Sequence, residues 1–431
     1  MKISGVELSI IFSKKYRKVV DGFPMTVSGK MRKVAIWGKS IKIFMMDKHT
    51  KLLIIGAGPF GLSMSAYAKH LGIDHIIAGK PMEFWKMNMP EKMFLRSTCD
   101  WHLDVTNEYT IDKFLEIRSG TCKDVEPLSL EFYLAYAQWF VEQNQLNVLP
   151  VYIKELDYIG DHSYKAITDD GTVIFAQYVV VAIGLKYFKH LPPEIINRLP
   201  AESYSHTCDL VNMESMRDKR VLIIGGRQSA FEWAALLQEA GAEQVHISHR
   251  HNCPAFKTSD WSWVNLLFEN VENDPAWFRK LSQEEKDALV KSLWAEGRLK
   301  VEPWLEKRIR KKNVQIWSTT QIVSCTQFAN NEMEIMLDNG KAIIVDKIIF
   351  ATGYKVDIRN VPFFAAGNIL SRLAIQNNFP VLDEYFQTNL PGLYITSMPA
   401  SQDFGPFFGF TIAARTSAKL IGKALTKSCN T

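Results

Sequence analysis

Residues 50–72 (TKLLIIGAGPFGLSMSAYAKHLG) open on a short, unbroken apolar run, the pattern of a strand buried on both faces. A glycine-rich turn follows, then apolar positions spaced near 3.6 residues as far as Leu71, where Gly72 stops the helix. DHIIAGK, immediately after, is a second apolar run, so the stretch predicts a βαβ unit. Between residues 151 and 184 the pattern changes to short alternating stretches broken by Asp-Gly and Gly-Asp, which predicts a β-meander returning to the main sheet. The same plan recurs: a second βαβ begins at KRVLIIGGRQSAFEW, a second meander follows, and each copy closes on an apolar strand ending in Ala-x-Gly (Ala182-Ile183-Gly184 and Ala351-Thr352-Gly353). The expected class is therefore α/β with two Rossmann-like units. Between the second βαβ and its meander lies a helical insert, about residues 261–312, rich in tryptophan (Trp261, Trp263, Trp277, Trp294, Trp304). These aromatics read as the insert's own core or as a lid over a substrate channel.

The first turn, Gly56-Ala57-Gly58-Pro59-Phe60-Gly61, stands between the predicted strand and helix, where this glycine spacing has a physical meaning. Gly56 permits the tight turn, Gly58 lets backbone approach a pyrophosphate, and Gly61 lets helix and strand pack closely, with the phosphate charge at the helix N-terminus. The acid that usually binds a ribose after the second strand is missing; Gly79 and Lys80 stand there, with Glu83 shortly beyond. Alone, this fingerprint leaves NAD and FAD both open. In the second turn Gly225 holds the tight-turn position and Ala230 the helix-packing position, but Arg227 replaces the close-approach glycine. A guanidinium with five donors suits phosphate oxygens, and Gln228 and Ser229 begin the helix behind it. After the following strand, His249, Arg250 and His251 replace the ribose-binding acid, and cations there favour a 2′-phosphate.

Taken together, the duplicated plan, the two Ala-x-Gly strand ends and the C-terminal return to the first unit resemble the two-dinucleotide-binding flavoproteins. Within them the chain is most similar to the class B-like flavin-containing monooxygenases and amino-acid N-hydroxylases. DKIIFATGYKVDIRNVP (residues 346–362) fits that group's Ala-Thr-Gly-Tyr segment, and MEFWKMNMPEKMFLRS (residues 82–97) looks like its flavin-contacting stretch. The resemblance implies FAD in the first unit and NADPH in a second unit inserted into it. The implied FAD contacts include Trp85, Arg96 and Asp403, beside Gly56, Gly58, Phe60, Gly61 and Lys80; Thr352 and Gly353 would border the NADPH side. It also implies the boundaries 47–212 and 340–431 for the FAD-binding domain and 213–339 for the NADPH-binding domain. The implied activity is oxygenation of a small organic substrate, an amine or amino acid among the candidates, by O2 through a C4a-peroxyflavin. Asp100 and His102, in STCDWHLD, are the catalytic candidates, against a reading in which they only cap backbone. A reductase or oxidase releasing hydrogen peroxide and a non-catalytic nucleotide-binding scaffold remain as alternatives.

Charge and cysteine usage narrow the partners. The net charge is +5, yet the first 51 residues hold 12 Lys/Arg against 3 Asp/Glu and the remainder 39 against 43, so nothing after them looks like a nucleic-acid surface. No apolar run approaches the roughly 20 residues of a membrane span, and the expected location is the cytoplasm. Six scattered cysteines without a C-x-x-C or metal-ligand spacing are expected as reduced thiols, with no metal and no dithiol centre. Residues 1–46 fit poorly with the rest of the chain. VDGFPMTVSGKMRK (residues 20–33) resembles the closing motif of adenylate-forming acyl ligases, in which the lysine, here Lys30, contacts an acyl adenylate. A start at Met45 or Met46, or a remnant of a ligase gene, accounts for this segment better than a working basic arm.

Overall fold

The computed structural model describes residues 47–427; residues 1–46, including the ligase-like segment, lie outside the described residues. The first sheet is seven-stranded. Lys48–Ile55 lies at its centre, parallel to His75–Ala78 on one side and to Val173–Val181 on the other. Val173–Val181 is also the third strand of an antiparallel meander with Ile153–Gly160 and Ser163–Thr168, so the meander is continuous with the main sheet. Leu393–Ile395 returns from the far end of the chain to pair with Val173–Val181. The short apolar runs are buried because both sheet faces are covered: Leu52, Leu53, Ile54, Val179, Val180 and Val181 have no exposure.

The second sheet has five parallel strands in the order Val314–Ser318, Gln244–His249, Arg220–Ile224, Lys347–Phe350, Tyr204–His206. Tyr204–His206 and Lys347–Phe350 lie outside the expected range 213–339 but pair into the second sheet, which is therefore wider at both ends than the range the resemblance implied. Pairing decides this: Lys347–Phe350 is an apolar strand whose residues register with Val221 to Ile224. The second meander, Ile322–Gln327, Met333–Leu337 and Ala342–Val345, forms a separate three-stranded sheet.

In both units the turn is fixed by backbone meeting backbone. A Cβ at Gly56 (φ +111°) would overlap the carbonyl of Ala182, and one at Gly225 (φ +142°) would overlap the carbonyl of Ala351. Each glycine thus sits on the Ala-x-Gly strand end of its own unit, and no side chain fits between. A Cβ at Gly61 would overlap the carbonyl of Gly56, which brings the helix Pro59–His70 against the strand before it.

The insert contains the helices Val264–Asn273, Trp277–Lys280 and Gln283–Gly297. Its tryptophans do not make a core of their own. Trp261, Trp263 and Trp277 pack with Phe268, Val271 and Leu293 on the first unit's core, where Trp261 and Trp263 meet Phe407 edge-on at 6.3 and 5.3 Å. Arg96 fastens the same junction by donating to Glu302 (2.7 Å), the Gly297 carbonyl (2.7 Å) and Ser259. The expectation of reduced thiols fails at one pair: Cys99 and Cys122 are joined by a disulfide, with Cα atoms 6.1 Å apart. They are 23 residues apart in sequence, and only the fold brings them within bonding geometry.

At the other end of the insert, the helix Trp304–Ile309 packs on Gln228–Glu239. Arg308 reaches Glu232 (2.9 Å) and Glu239 (2.7 and 3.0 Å). Glu232 is 1% exposed, and burial raises its carboxyl above the usual range although Arg308 pulls the other way. Replacing Arg308 with Met leaves that carboxylate without its partner and should destabilise the fold by about 3 kcal/mol near neutral pH. Glu232 would then titrate higher still. A raised folded-state titration favours the protonated form, so the deficit should shrink on acidification, as read from denaturant midpoints in alkaline and mildly acid buffer.

Candidate functional site

A cleft of about 990 Å³ opens at the C-terminal edge of the first sheet, at the N-terminus of the helix Pro59–His70. Gly58 is the N-cap residue, in extended conformation (φ −85°, ψ −169°) without a side-chain cap, so the first-turn N–H groups have no capping side chain. A Cβ there would meet nothing within 4 Å. Any residue could adopt this backbone; the protein simply leaves space for something else. Lys80 and Lys186 lie 5.3 and 3.8 Å from the Tyr152 ring, and Glu83 pairs with both ammonium groups at 3.2 and 3.6 Å. Burial lowers the Lys186 titration despite the attraction of Glu83. Trp85 also lines the cleft and leans on Tyr133 at 4.9 Å. An uncapped helix N-terminus, open backbone and two ammonium groups suit a dinucleotide pyrophosphate, and the aromatic walls suit a flat ring system.

Of the residues singled out from sequence for this unit, Gly56, Gly58, Phe60, Lys80 and Trp85 line the cleft, and Gly61 packs behind the turn. Arg96 and Asp403 do not line it. Arg96 is engaged with the insert, and Asp403 accepts from the Leu382 N–H (3.0 Å) and faces Arg279 at 3.5 Å. The C-terminal segment reaches the cleft instead through Gly409 and Thr411. Tyr152 and Lys186 were missed because no spacing rule links residues 80, 152 and 186; the sheet brings the meander beside the second strand.

The second turn repeats this geometry. Arg227 is the N-cap residue of Gln228–Glu239 with φ −115° and ψ −175°, the extended conformation that Gly58 holds in the first unit, so an arginine sits there without strain. Its side chain does not arch over the turn. Nη1 donates to the Arg298 carbonyl (2.6 Å), and the guanidinium lies 4.7 Å above Trp294, so the expected direct contact with pyrophosphate is replaced by a tie to the insert. Gly226 is needed for space rather than φ, since a Cβ would strike the His249 ring. Gln228 accepts from the Glu302 N–H (3.0 Å) and Ser229 is exposed. Thr352 donates to the His190 carbonyl, and Gly353 accepts from His206 Nε2 (3.0 Å), placing both at the seam with the connecting segment.

The cations expected after the second strand reduce to one, Arg250. Burial and the neighbouring His251 and Arg227 hold His249 down at about 4, and burial also lowers His251, leaving both rings neutral at ordinary pH. His249 Nδ1 faces the His251 carbonyl at 2.8 Å and therefore carries the proton; its Nε2 is buried with no partner. Arg250 is exposed.

Asp100 and His102 line a different cleft, about 1030 Å³, together with Glu269, Glu272, Arg415 and Lys419. His102 Nε2 lies 2.8 Å from Arg415, and burial followed by the Arg415 charge depresses its titration to about 3. Such an imidazole is a poor general base at neutral pH, which counts against the catalytic role expected of it. Asp100 accepts from Thr98 and from Asn265 (3.2 Å). Asp104 accepts four hydrogen bonds from Thr106, Glu108 and Tyr109, closing the loop between them. Thr411 lines the first cleft and Ile412 the second, so the two adjoin at the start of the helix Ala413–Lys427.

Comparison with known proteins agrees with this arrangement. The chain is 28% identical over 236 residues to a ferredoxin–NADP reductase of Mesorhizobium japonicum, covering 53% of this chain and 60% of that protein. It thus spans little more than half the length of the curated relatives it matches. The fold is similar to that of the ornithine N-hydroxylase of Kutzneria sp. 744 (TM-score 0.73, 14% identity, 88% of this chain and 100% of that one). It is also similar to that of the ornithine hydroxylase of Pseudomonas aeruginosa (TM-score 0.71, 16% identity, 88% and 100%). The pyridine nucleotide-disulphide oxidoreductase models match residues 53–271 and 290–396. With two glycine turns of one build, each seated on its own strand end, the chain belongs to the pyridine nucleotide-disulphide oxidoreductase family.

Proposed function

We propose that this oxidoreductase holds FAD in the first cleft, uses NADPH at the second turn, and oxygenates a small organic substrate with O2, an amine or amino acid. The open space at Gly58 carries the reading, because it sits at an uncapped helix N-terminus in a cleft that Lys80 and Lys186 also line. Gly56, Gly58 and Phe60 would approach the pyrophosphate, Glu83 would stand in for the missing ribose acid, and Trp85 would flank the flavin. FAD, once bound, supplies hydride acceptance from NADPH and electron delivery to oxygen. The chain's part is to orient both nucleotides and to exclude water. The adjoining cleft offers carboxylates at Asp100 and Glu269 for an ammonium, and Arg415 and Lys419 for a carboxylate, a set suited to a zwitterion. Fold likeness to ornithine hydroxylases supports an amine substrate.

A second reading, a reductase that passes its electrons on without oxygenation, is favoured by the ferredoxin–NADP reductases among the sequence relatives. Neither Cys99 nor Cys122 lines the nucleotide cleft, which counts against transfer to a resident disulfide.

Gly58→Val should leave the unfolding midpoint near the parent's, since its side chain meets no protein atom, while flavin content falls below a tenth of the parent's. Retained flavin would show that the space is not the pyrophosphate approach. With FAD-loaded protein, NADPH and ¹⁸O₂, mass spectrometry over an amine and amino-acid panel should find one labelled oxygen in a product, matched to NADPH consumed. Recovery of all reducing equivalents as peroxide or reduced acceptor, whatever the substrate, would establish the second reading instead.

A further inference from the structure

The disulfide between Cys99 and Cys122 touches the second cleft from behind at two carboxylates. Cys99 immediately precedes Asp100, which lines that cleft, and Cys122 Sγ lies 3.0 Å from Oδ1 of Asp112, which lines it too. That is the approach of a thiol donating to a carboxylate, yet a sulfur held in a disulfide has no hydrogen to donate. Cys122 therefore has two partners and satisfies one at a time, Cys99 when oxidised and Asp112 when reduced. Asp112 makes no other side-chain hydrogen bond or ion pair among the described residues. Its carboxylate is unshared in the oxidised chain and engaged in the reduced one.

Contacts that do not involve sulfur hold both cysteines in register. The Cys99 N–H donates to Glu126 (3.0 Å), just past the short helix Cys122–Val125, and at the start of that helix Asp124 accepts from the Thr121 N–H (2.8 Å) and hydroxyl (2.7 Å). Opening the S–S bond thus changes a hydrogen bond at the cleft while these ties keep the segments docked. Cys99 is 5% exposed and Cys122 half-buried, so Cys122 is the sulfur a small reagent reaches.

We propose that Cys99 and Cys122 form a redox modification site whose state sets the charge that the second cleft presents to a cationic substrate. In the reducing direction the thiolate of a small thiol attacks Cys122 Sγ, the S–S bond breaks, and Cys99 leaves and takes up a proton; a second thiol attacks the mixed disulfide, releasing Cys122 as a thiol and the reagent as its own disulfide. In the oxidising direction hydrogen peroxide converts the Cys122 thiol to a sulfenic acid with loss of one water, and Cys99 attacks that sulfur and expels a second. A bound thiol on Asp112 leaves Asp100 and Glu269 to meet an ammonium group, so the reduced cleft holds a cation less tightly. This inference rests on the proposed reading of the second cleft as the substrate's place.

The test uses the full FAD-loaded chain, treated with hydrogen peroxide or with dithiothreitol, freed of the reagent, and titrated calorimetrically with 1,5-diaminopentane and its uncharged analogue 1,5-pentanediol. The oxidised chain should bind the diamine about threefold more tightly than the reduced chain, the scale of one exposed charge pair, with no difference for the diol. Cys122→Ser, whose hydroxyl can still donate to Asp112, should bind the diamine as the reduced parent does after either treatment, and Asp112→Asn should lose the redox dependence. Mass spectrometry after alkylation should place the change on Cys99 and Cys122, with Cys253 and Cys325 free in both states. Equal diamine affinity in the two states, or a pair that neither opens with dithiothreitol nor closes with peroxide, overturns the inference while the proposed function stands. A pair that cycles in a chain that binds no diamine in either state overturns the second cleft as the substrate's place, and this inference with it.

Discussion

Both nucleotide turns depend on one contact, a glycine backbone laid on the carbonyl of an alanine from the closing strand of the same unit. Gly56 rests on Ala182 and Gly225 on Ala351, at positive φ in each case. This fixes where the following helix begins, and hence where its N-terminal N–H groups and positive end point. The parallel strands behind it then need only be apolar, which is why four-residue runs such as Leu52–Ile55 suffice. A side chain at either glycine would have to move backbone rather than a flexible neighbour.

The same reasoning explains why an imperfect fingerprint still builds a complete turn. The middle position is an extended N-cap in both units, occupied by Gly58 in one and Arg227 in the other. Backbone geometry does not require glycine there; only a ligand approaching closely does. The first unit leaves the space open, and the second fills it with a side chain that turns away to the insert. One fold thus carries two differently finished sites.

The architecture was legible in the sequence because hydrophobic period and turn glycines act locally. Both βαβ units and both meanders follow from spacing, the C-terminal return from the family resemblance, and five of the eight first-unit positions line the cleft. Misplaced features depended on contacts between distant segments. Arg96 belongs to the flavin-contacting stretch in sequence, but Glu302 and Gly297 of the second half draw it away. His102 looked like an acid or base until Arg415, 313 residues later, settled against it. Cys99 and Cys122 looked scattered until the loop folded back. Of the tryptophans read as an insert core or a lid, Trp261, Trp263 and Trp277 seat the insert on the first unit, and Arg96 and Arg227 hold it at the adjacent carbonyls of Gly297 and Arg298 while its own Arg308 reaches Glu232.

The central claim is that the first cleft is a dinucleotide site and the second turn, though alike in backbone, is finished differently. Titration of apo protein with FAD, followed by quenching of flavin fluorescence and by equilibrium dialysis, addresses it directly. The account predicts saturation at one FAD per chain, unaffected by a saturating excess of NADP⁺. Absence of saturable binding, or displacement of the flavin by NADP⁺, would contradict it.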